Sequence, residues 1–222
     1  MTDPQQFIQN LITDLSQETF DGDDVYNEYA PDNPYNEIRR NNLNRYLNEM
    51  LERKPQFMLV MEAPGYRGCR LTGVPVTSRK ILIEGIDTLE MFGETRGYQL
   101  TEDEGFENVY GEQSATIVWN TLAEIGTVPL IWNSFPFHPR KNSQQRTNRK
   151  PRVPETKLGL SYLQRVIDFF KPQVIIAAGN VAHDTMTSAG IDCFKVRHPA
   201  QGGKNDFVAG MKAIFSSKTP NN

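Results

Sequence analysis

The feature that most constrains this chain is an alternation. Short runs, "QFMLVME", "VPLIWNSF", "PQVIIAAG" and "IDCFKV", recur between segments whose apolar residues fall at helical spacing. Runs of this length, rich in Val, Ile and aromatic residues and bounded by Gly, Pro or Asn, read as strands buried on both faces. The intervening segments predict helices at 36–53, 78–92, 112–125, 155–170, 181–189 and 207–215, after a short one at 7–15. In the 36–53 segment, Ile38, Leu43, Leu47 and Leu51 recur at helical spacing. Strands alternating with helices define an α/β chain with a mainly parallel sheet covered on both sides.

A length of 222 residues with 38% hydrophobic content is enough for one sizeable core. No repeat and no Pro/Ser linker marks a second core, so the expected organisation is an acidic segment at 1–35 followed by one α/β domain at 36–222. No eighteen-residue apolar run occurs and "MTDPQQFIQN" lacks the parts of a signal peptide. The chain is therefore expected to be a cytoplasmic monomer with no membrane partner. Cys69 and Cys193 are too few for a disulfide framework, a four-cysteine zinc site or an iron-sulfur cluster. Neither a metal nor another cofactor is expected.

The net charge of −3 conceals an asymmetry. Residues 1–38 hold nine acids and no Lys or Arg, so the remainder carries an excess of six positive charges. Their densest run is "PRKNSQQRTNRKPR", residues 139–152, with six bases and no acid. Its Pro, Asn, Ser and Gln favour loop over helix. A charge run is usually a solvated surface, and this one gains meaning only if it flanks a site.

In parallel sheets, ligands bind beyond the carboxyl ends of the strands. There the chain carries "EAPGYRG" after the first strand, "NSFPFHPR" after the second and "RHPAQGG" after the fourth. Glu62, Asn133 and His198 are thereby expected on one rim. Singly, each has a structural explanation as a cap, a backbone bond or a turn. Their convergence points to a site. His183, one turn into a helix, reads instead as a packed or surface side chain, His138 as part of a packed turn, and Trp119 and Trp132 as core.

These motifs, in this order and spacing, resemble the uracil-DNA glycosylase superfamily over about residues 57–215, particularly its "GEAPG" branch. The resemblance implies a three-layer α/β/α sandwich around a short, mainly parallel four-stranded sheet. It also implies a DNA glycosylase that flips a base and hydrolyses its N-glycosidic bond, leaving an abasic site. His198 would donate to a pyrimidine carbonyl, Asn133 would bond the base edge, and Glu62 would orient or deprotonate water or face the sugar cation. Met61, Ala63, Tyr66 and Val76 would line the base pocket. Arg67, Arg140, Lys141, Arg146, Arg149, Lys150, Gln201 and Gly202 would meet single- or double-stranded DNA, with Gln201 and Gly202 where some relatives insert a leucine wedge.

The pattern has departures. Met61 replaces the usual glycine, Ala63 stands where other branches carry an aspartate, and Val76 stands where the family has the phenylalanine that stacks on uracil. Loss of that platform would remove about 1 to 3 kcal/mol of stacking. It would also leave room for a bulkier pyrimidine, such as the glucosylated hydroxymethylcytosine of phage DNA attacked by an antiviral branch of the superfamily. The competing readings are a DNA-binding module that kept the fold and lost the chemistry, and an enzyme of free nucleosides. The six-base loop favours a polymeric nucleic acid over the latter.

Overall fold

The computed structural model describes residues 3–141 and 143–218. Its elements run α1 (Pro4–Gln17), β1 (Val25–Tyr26), α2 (Tyr35–Arg53), β2 (Phe57–Met61), α3 (Cys69–Thr72), α4 (Arg79–Glu84), α5 (Gln113–Ile125), β3 (Leu130–Asn133), β4 (His138–Pro139), α6 (Val153–Phe170), β5 (Val174–Ala178), α7 (Asn180–Ser188), β6 (Phe194–Val196) and α8 (Lys204–Lys218). Four strands form one sheet in the order β3-β2-β5-β6, every pair parallel. All of β2 and β3 is buried, which requires cover on both faces, and helices flank the sheet. The α/β class expected from the sequence is the one observed.

The order has a consequence for function. From central β2 the chain goes to β3 on one side and then crosses to β5 on the other. A crevice opens where such connections diverge, at the carboxyl ends of β2 and β5. Met61 pairs with Asn133 in the parallel register, so the residues that follow β2 and end β3 arrive side by side.

One expected helix is shorter than its pattern. The 78–92 segment is helical only over Arg79–Glu84. Gly85 takes φ +76°, its N–H closes on the Ile81 carbonyl, and Ile86 then pairs with Met91 around a tight 3₁₀ turn. A left-handed glycine at a helix end is the usual stop. The hydrophobic residues beyond it, Leu89, Met91 and Phe92, still reach the core from the turn.

The acidic segment is tied in at both ends. Ile8, Leu11, Ile12 and Leu15 of α1 belong to the main hydrophobic core, and the Phe7 ring stacks on Phe169 of α6 at 3.8 Å. Val25 and Tyr26 form an antiparallel ribbon with Pro139 and His138. Further along, Glu28 is fully buried and accepts the His138 N–H at 3.2 Å.

A polar cluster lies inside. Arg39, wholly buried, bonds both carboxylate oxygens of Asp103, and Arg70 and Arg79 approach the same carboxylate at 3.8 and 3.6 Å. Desolvation acts to raise the Asp103 pKa, but the adjacent arginines, Arg39 foremost, and the Thr101 hydroxyl outweigh it and hold the carboxyl below its ordinary range. Arg70 is sandwiched between the rings of Tyr26 and Phe106, 4.6 and 4.1 Å from their centroids. The cluster joins α2, α3 and α4 to the long 97–112 connection.

Candidate active site

Among the described residues, two of the surface clefts are of similar size. One, of about 600 Å³, lies along α2 and is lined by Asn41, Asn44, Arg45, Asn48 and Glu49 among others. It gathers none of the strand-end motifs. The other, of about 590 Å³, opens at the carboxyl ends of the sheet and brings together Met61, Glu62, Ala63, Val76, Asn133, Arg149, Lys150, His198 and Gln201. The topology thus assembles pieces separated by more than a hundred residues into one concavity.

Each polar side chain there is placed by its backbone. Ser134 donates its N–H to the Met61 carbonyl at 2.8 Å and its hydroxyl to the Glu62 carbonyl at 2.8 Å, while the Phe135 N–H meets the Glu62 carbonyl at 3.1 Å. These bonds stitch the end of β2 to the end of β3. Asn133 is only 3% exposed, yet among the described residues its amide has no hydrogen-bond partner, so its donors and acceptor face the cleft. From behind, His138 Nδ1–H donates to the Pro64 carbonyl at 2.8 Å. Burial pushes His138 down to about 4, so its ring is neutral and serves as a brace for the turn.

The tautomer of His198 follows from one bond. The Ala200 backbone N–H donates to His198 Nδ1 at 3.1 Å, so that nitrogen must carry a lone pair. A neutral ring then holds its proton on Nε2. Burial, helped by the charge of Arg197, moves His198 below its ordinary pKa and favours this neutral form. The turn that makes the bond is tight. Gln201 and Gly202 both adopt positive φ, +53° and +79°, and a Cβ on Gly203 would lie 2.0 Å from the His198 carbonyl oxygen. Only glycine fits at 203.

Glu62 is half-buried. Desolvation raises its pKa above the ordinary carboxylate value, and the charge of Lys150 pulls in the opposite direction. Across the cleft, Val76 sits at φ +53°, a region costly for a β-branched residue, with its carbonyl held by the Trp119 indole N–H at 2.7 Å.

Other expected residues lie outside the cleft. Tyr66 packs against Leu71, Phe106 and Val109, while Arg67 is exposed and bonds the Tyr66 hydroxyl at 2.8 Å. Gly202 stands at the exposed turn beside Gln201. Most of the basic loop is engaged: Arg140 with Asp23, Arg149 with Glu155 through two bonds of 2.6 Å, Arg152 with Asp24, and Arg146 with the Gly105 carbonyl. Arg149 reaches the cleft wall in that paired state. Lys141 is exposed away from the cleft. The structure adds lining residues that the motifs did not single out: Cys69, Glu112, Gln113, Ser114, Asn148, Asn180 and Arg197. Arg197 adjoins His198 and could have been found from "RHPA"; Asn148 and Glu112 come from distant segments and leave no local signal. Among the described residues no group of three His, Cys, Asp or Glu is arranged to hold a metal, and no helix is long and apolar enough to cross a membrane.

A family model described as the uracil DNA glycosylase superfamily matches residues 49–217. The chain belongs to the uracil DNA glycosylase superfamily, a family of DNA glycosylases. A solved structure, wild-type SMUG2 of Pedobacter heparinus, shares its fold with a TM-score of 0.66 and 12% identity, covering 95% of this chain and 97% of that one. No curated protein sequence matches the chain.

Proposed function

We propose that this protein is a monofunctional DNA glycosylase that flips one nucleotide into the cleft and hydrolyses its N-glycosidic bond. The observation that carries the reading is the gathering of Glu62, Asn133 and a neutral His198 in one crevice of a glycosylase-family fold. As the bond breaks, the base takes the electron pair and becomes anionic while C1′ of the sugar becomes cationic. His198 Nε2–H donates to the base oxygen where that charge gathers, and the Asn133 amide reads the base edge. Glu62 faces the cation and takes a proton from the water whose oxygen bonds to C1′. The departing base anion takes up a proton from solvent and Glu62 returns its own to solvent, leaving an abasic site and a free base. Lys141, Lys150, Arg67 and Arg197 meet the phosphates, with Gln201 at the tip of a turn able to enter the stack.

Uracil or a bulkier modified pyrimidine is the substrate of this reading, and glucosylated hydroxymethylcytosine in viral DNA its largest form. Support comes from Val76, a small side chain on the wall of a cleft of about 590 Å³. A second reading, a DNA-binding module without chemistry, is favoured by Met61 and Val76 as departures from the family pattern. Incubation with DNAs containing uracil, hypoxanthine, hydroxymethylcytosine or its glucosylated form, followed by alkali, separates the two. Breaks at the modified position support the enzyme; binding without breaks on any substrate supports the module.

A further inference from the structure

The six bases of the 139–152 loop sort themselves by partner. Arg140, Arg146, Arg149 and Arg152 are bonded to carboxylates or carbonyls of the protein. Lys141 and Lys150 are the two bases of the loop whose ammonium groups have no ion pair among the described residues. Of these, Lys150 lines the cleft and Lys141 does not.

Lys150 is held there by its neighbours. The Asn148 side-chain oxygen accepts the Tyr66 N–H at 2.9 Å, tying the loop to the turn that follows Glu62. Arg149 bonds the Pro139 carbonyl through its N–H at 3.1 Å and clamps Glu155 through its guanidinium. The Lys150 carbonyl accepts from Arg149 Nη1 at 3.2 Å, and the Arg152 N–H reaches Glu155 at 2.7 Å. These anchors fix the backbone on both sides of Lys150, whose side chain is exposed.

Glu62 needs a neighbour of this kind. Its side chain has no hydrogen-bond partner among the described residues, and burial already disfavours its charge. Seating a nucleotide would exclude more water, and phosphates at the rim would add negative charge. Both effects favour protonation. Other ionisable groups lining the cleft do not oppose this. Glu112 is negative itself and caps α5 through the Ser114 and Ala115 N–H groups. The buried Cys69 thiol is pushed well above its ordinary range and is neutral. Arg149 is matched by Glu155, and Arg197 acts on His198. Lys150 lines the same cleft as Glu62, and its positive charge pulls the carboxyl pKa down against the effect of burial.

We propose that Lys150 is a positioning residue for Glu62: held over the cleft by the anchored loop, its ammonium keeps the carboxylate charged and oriented while DNA is bound. This rests on the glycosylase reading for its purpose, though not for its test. Glu62 can be titrated by carboxyl ¹³C NMR, assigned with Glu62→Gln, in the wild type and in Lys150→Met, Lys150→Arg and Lys141→Met. Lys150→Met is expected to raise the Glu62 midpoint by roughly half a unit to one unit. Lys150→Arg restores it, and Lys141→Met leaves it in place. The acid limb of single-turnover base release moves to higher pH in Lys150→Met by at least the same amount. An unmoved midpoint and limb, with weaker DNA binding alone, would make Lys150 no more than a phosphate ligand and overturn the proposal. If the wild type releases no base at all, the NMR titration still decides the Lys150 question while the proposed function falls separately.

Discussion

The molecule holds two arginine-rich regions, and they differ in where the counter-charge lies. Inside, Arg39, Arg70 and Arg79 surround the single carboxylate of Asp103 with their guanidinium groups buried, bonded to carbonyls or stacked on rings. On the rim, the 139–152 loop carries more positive charge, yet four of its six bases are matched by protein groups, several from the acidic 21–24 stretch. Density of charge in the sequence therefore overstates the surface free to meet DNA, and it says nothing about the buried cluster. In both regions arginine acts mainly as a staple, while Lys141 and Lys150 of the loop have no ion pair among the described residues.

The sharpest way to break this comparison is at its centre. Asp103→Ala leaves three buried guanidinium groups without their shared partner and is expected to lower stability by about 3 to 5 kcal/mol in denaturant unfolding. A decrease below about 1 kcal/mol would show that the inner cluster behaves like a surface pair. On the rim, Arg149→Ala removes two charge-assisted bonds to Glu155 and is expected to cost about 1.5 to 3 kcal/mol. Lys141→Gln and Lys150→Gln should leave the unfolding midpoint nearly unchanged. Instead, each is expected to flatten the slope of log binding constant against log salt on duplex DNA, by up to about 0.9 for every phosphate it no longer neutralises. If Arg149→Ala flattened the salt slope as they do while stability stayed intact, the division between stapling arginines and ligand-facing lysines would fail.

Glu28, near Arg39 and Arg70, sharpens the comparison through pH. Burial raises its carboxyl from 4.5 to about 8 in the folded state. Between those values the folded chain holds a proton that the unfolded chain has released, so stability contributed by this group is complete below pH 4.5 and falls as pH rises through 8. Glu28→Gln is expected to flatten that decline in thermal unfolding measured from pH 5 to 9. Rim acids have the opposite sign. For Glu155, burial acts to raise the carboxyl, but the bonds from the Arg149 guanidinium and the Arg152 N–H outweigh it and hold the group below its ordinary value. Its contribution is present above the unfolded pKa and disappears toward acid.

The smallest expected effect concerns the pocket wall. Val76→Phe should favour release of uracil over a bulky modified cytosine, changing their rate ratio by about tenfold. Equal decreases for both substrates would mean that position 76 only fills space.

The sequence made the sheet and its rim legible because both are local in origin. Short apolar runs become strands, and Glu62, Asn133 and His198 stand directly at or just beyond strand ends. What it concealed was made by pairings between distant segments. Arg39 and Asp103 are 64 residues apart, and no local motif announces their bond. Asn148 reaches Tyr66 from a loop 82 positions away. The pairing of Asp24 with Arg152 joins segments whose opposite charges were visible while their proximity was not. The carbonyl of Val76, a residue at positive φ, likewise accepts a bond from Trp119, which reads in the sequence as ordinary core.

The central claim is that Glu62, Asn133 and His198 form a base-releasing site rather than a relic of one. The direct measurement is single-turnover release of base from DNA carrying the best substrate of the modified-base panel, for the wild type, His198→Ala and Asn133→Ala, with duplex affinity recorded alongside. Base release by the wild type, a decrease of at least about 10²-fold in each variant, and nearly constant affinity are the expected result. Release at the wild-type rate in both variants, or none in the wild type with DNA binding intact, would contradict it.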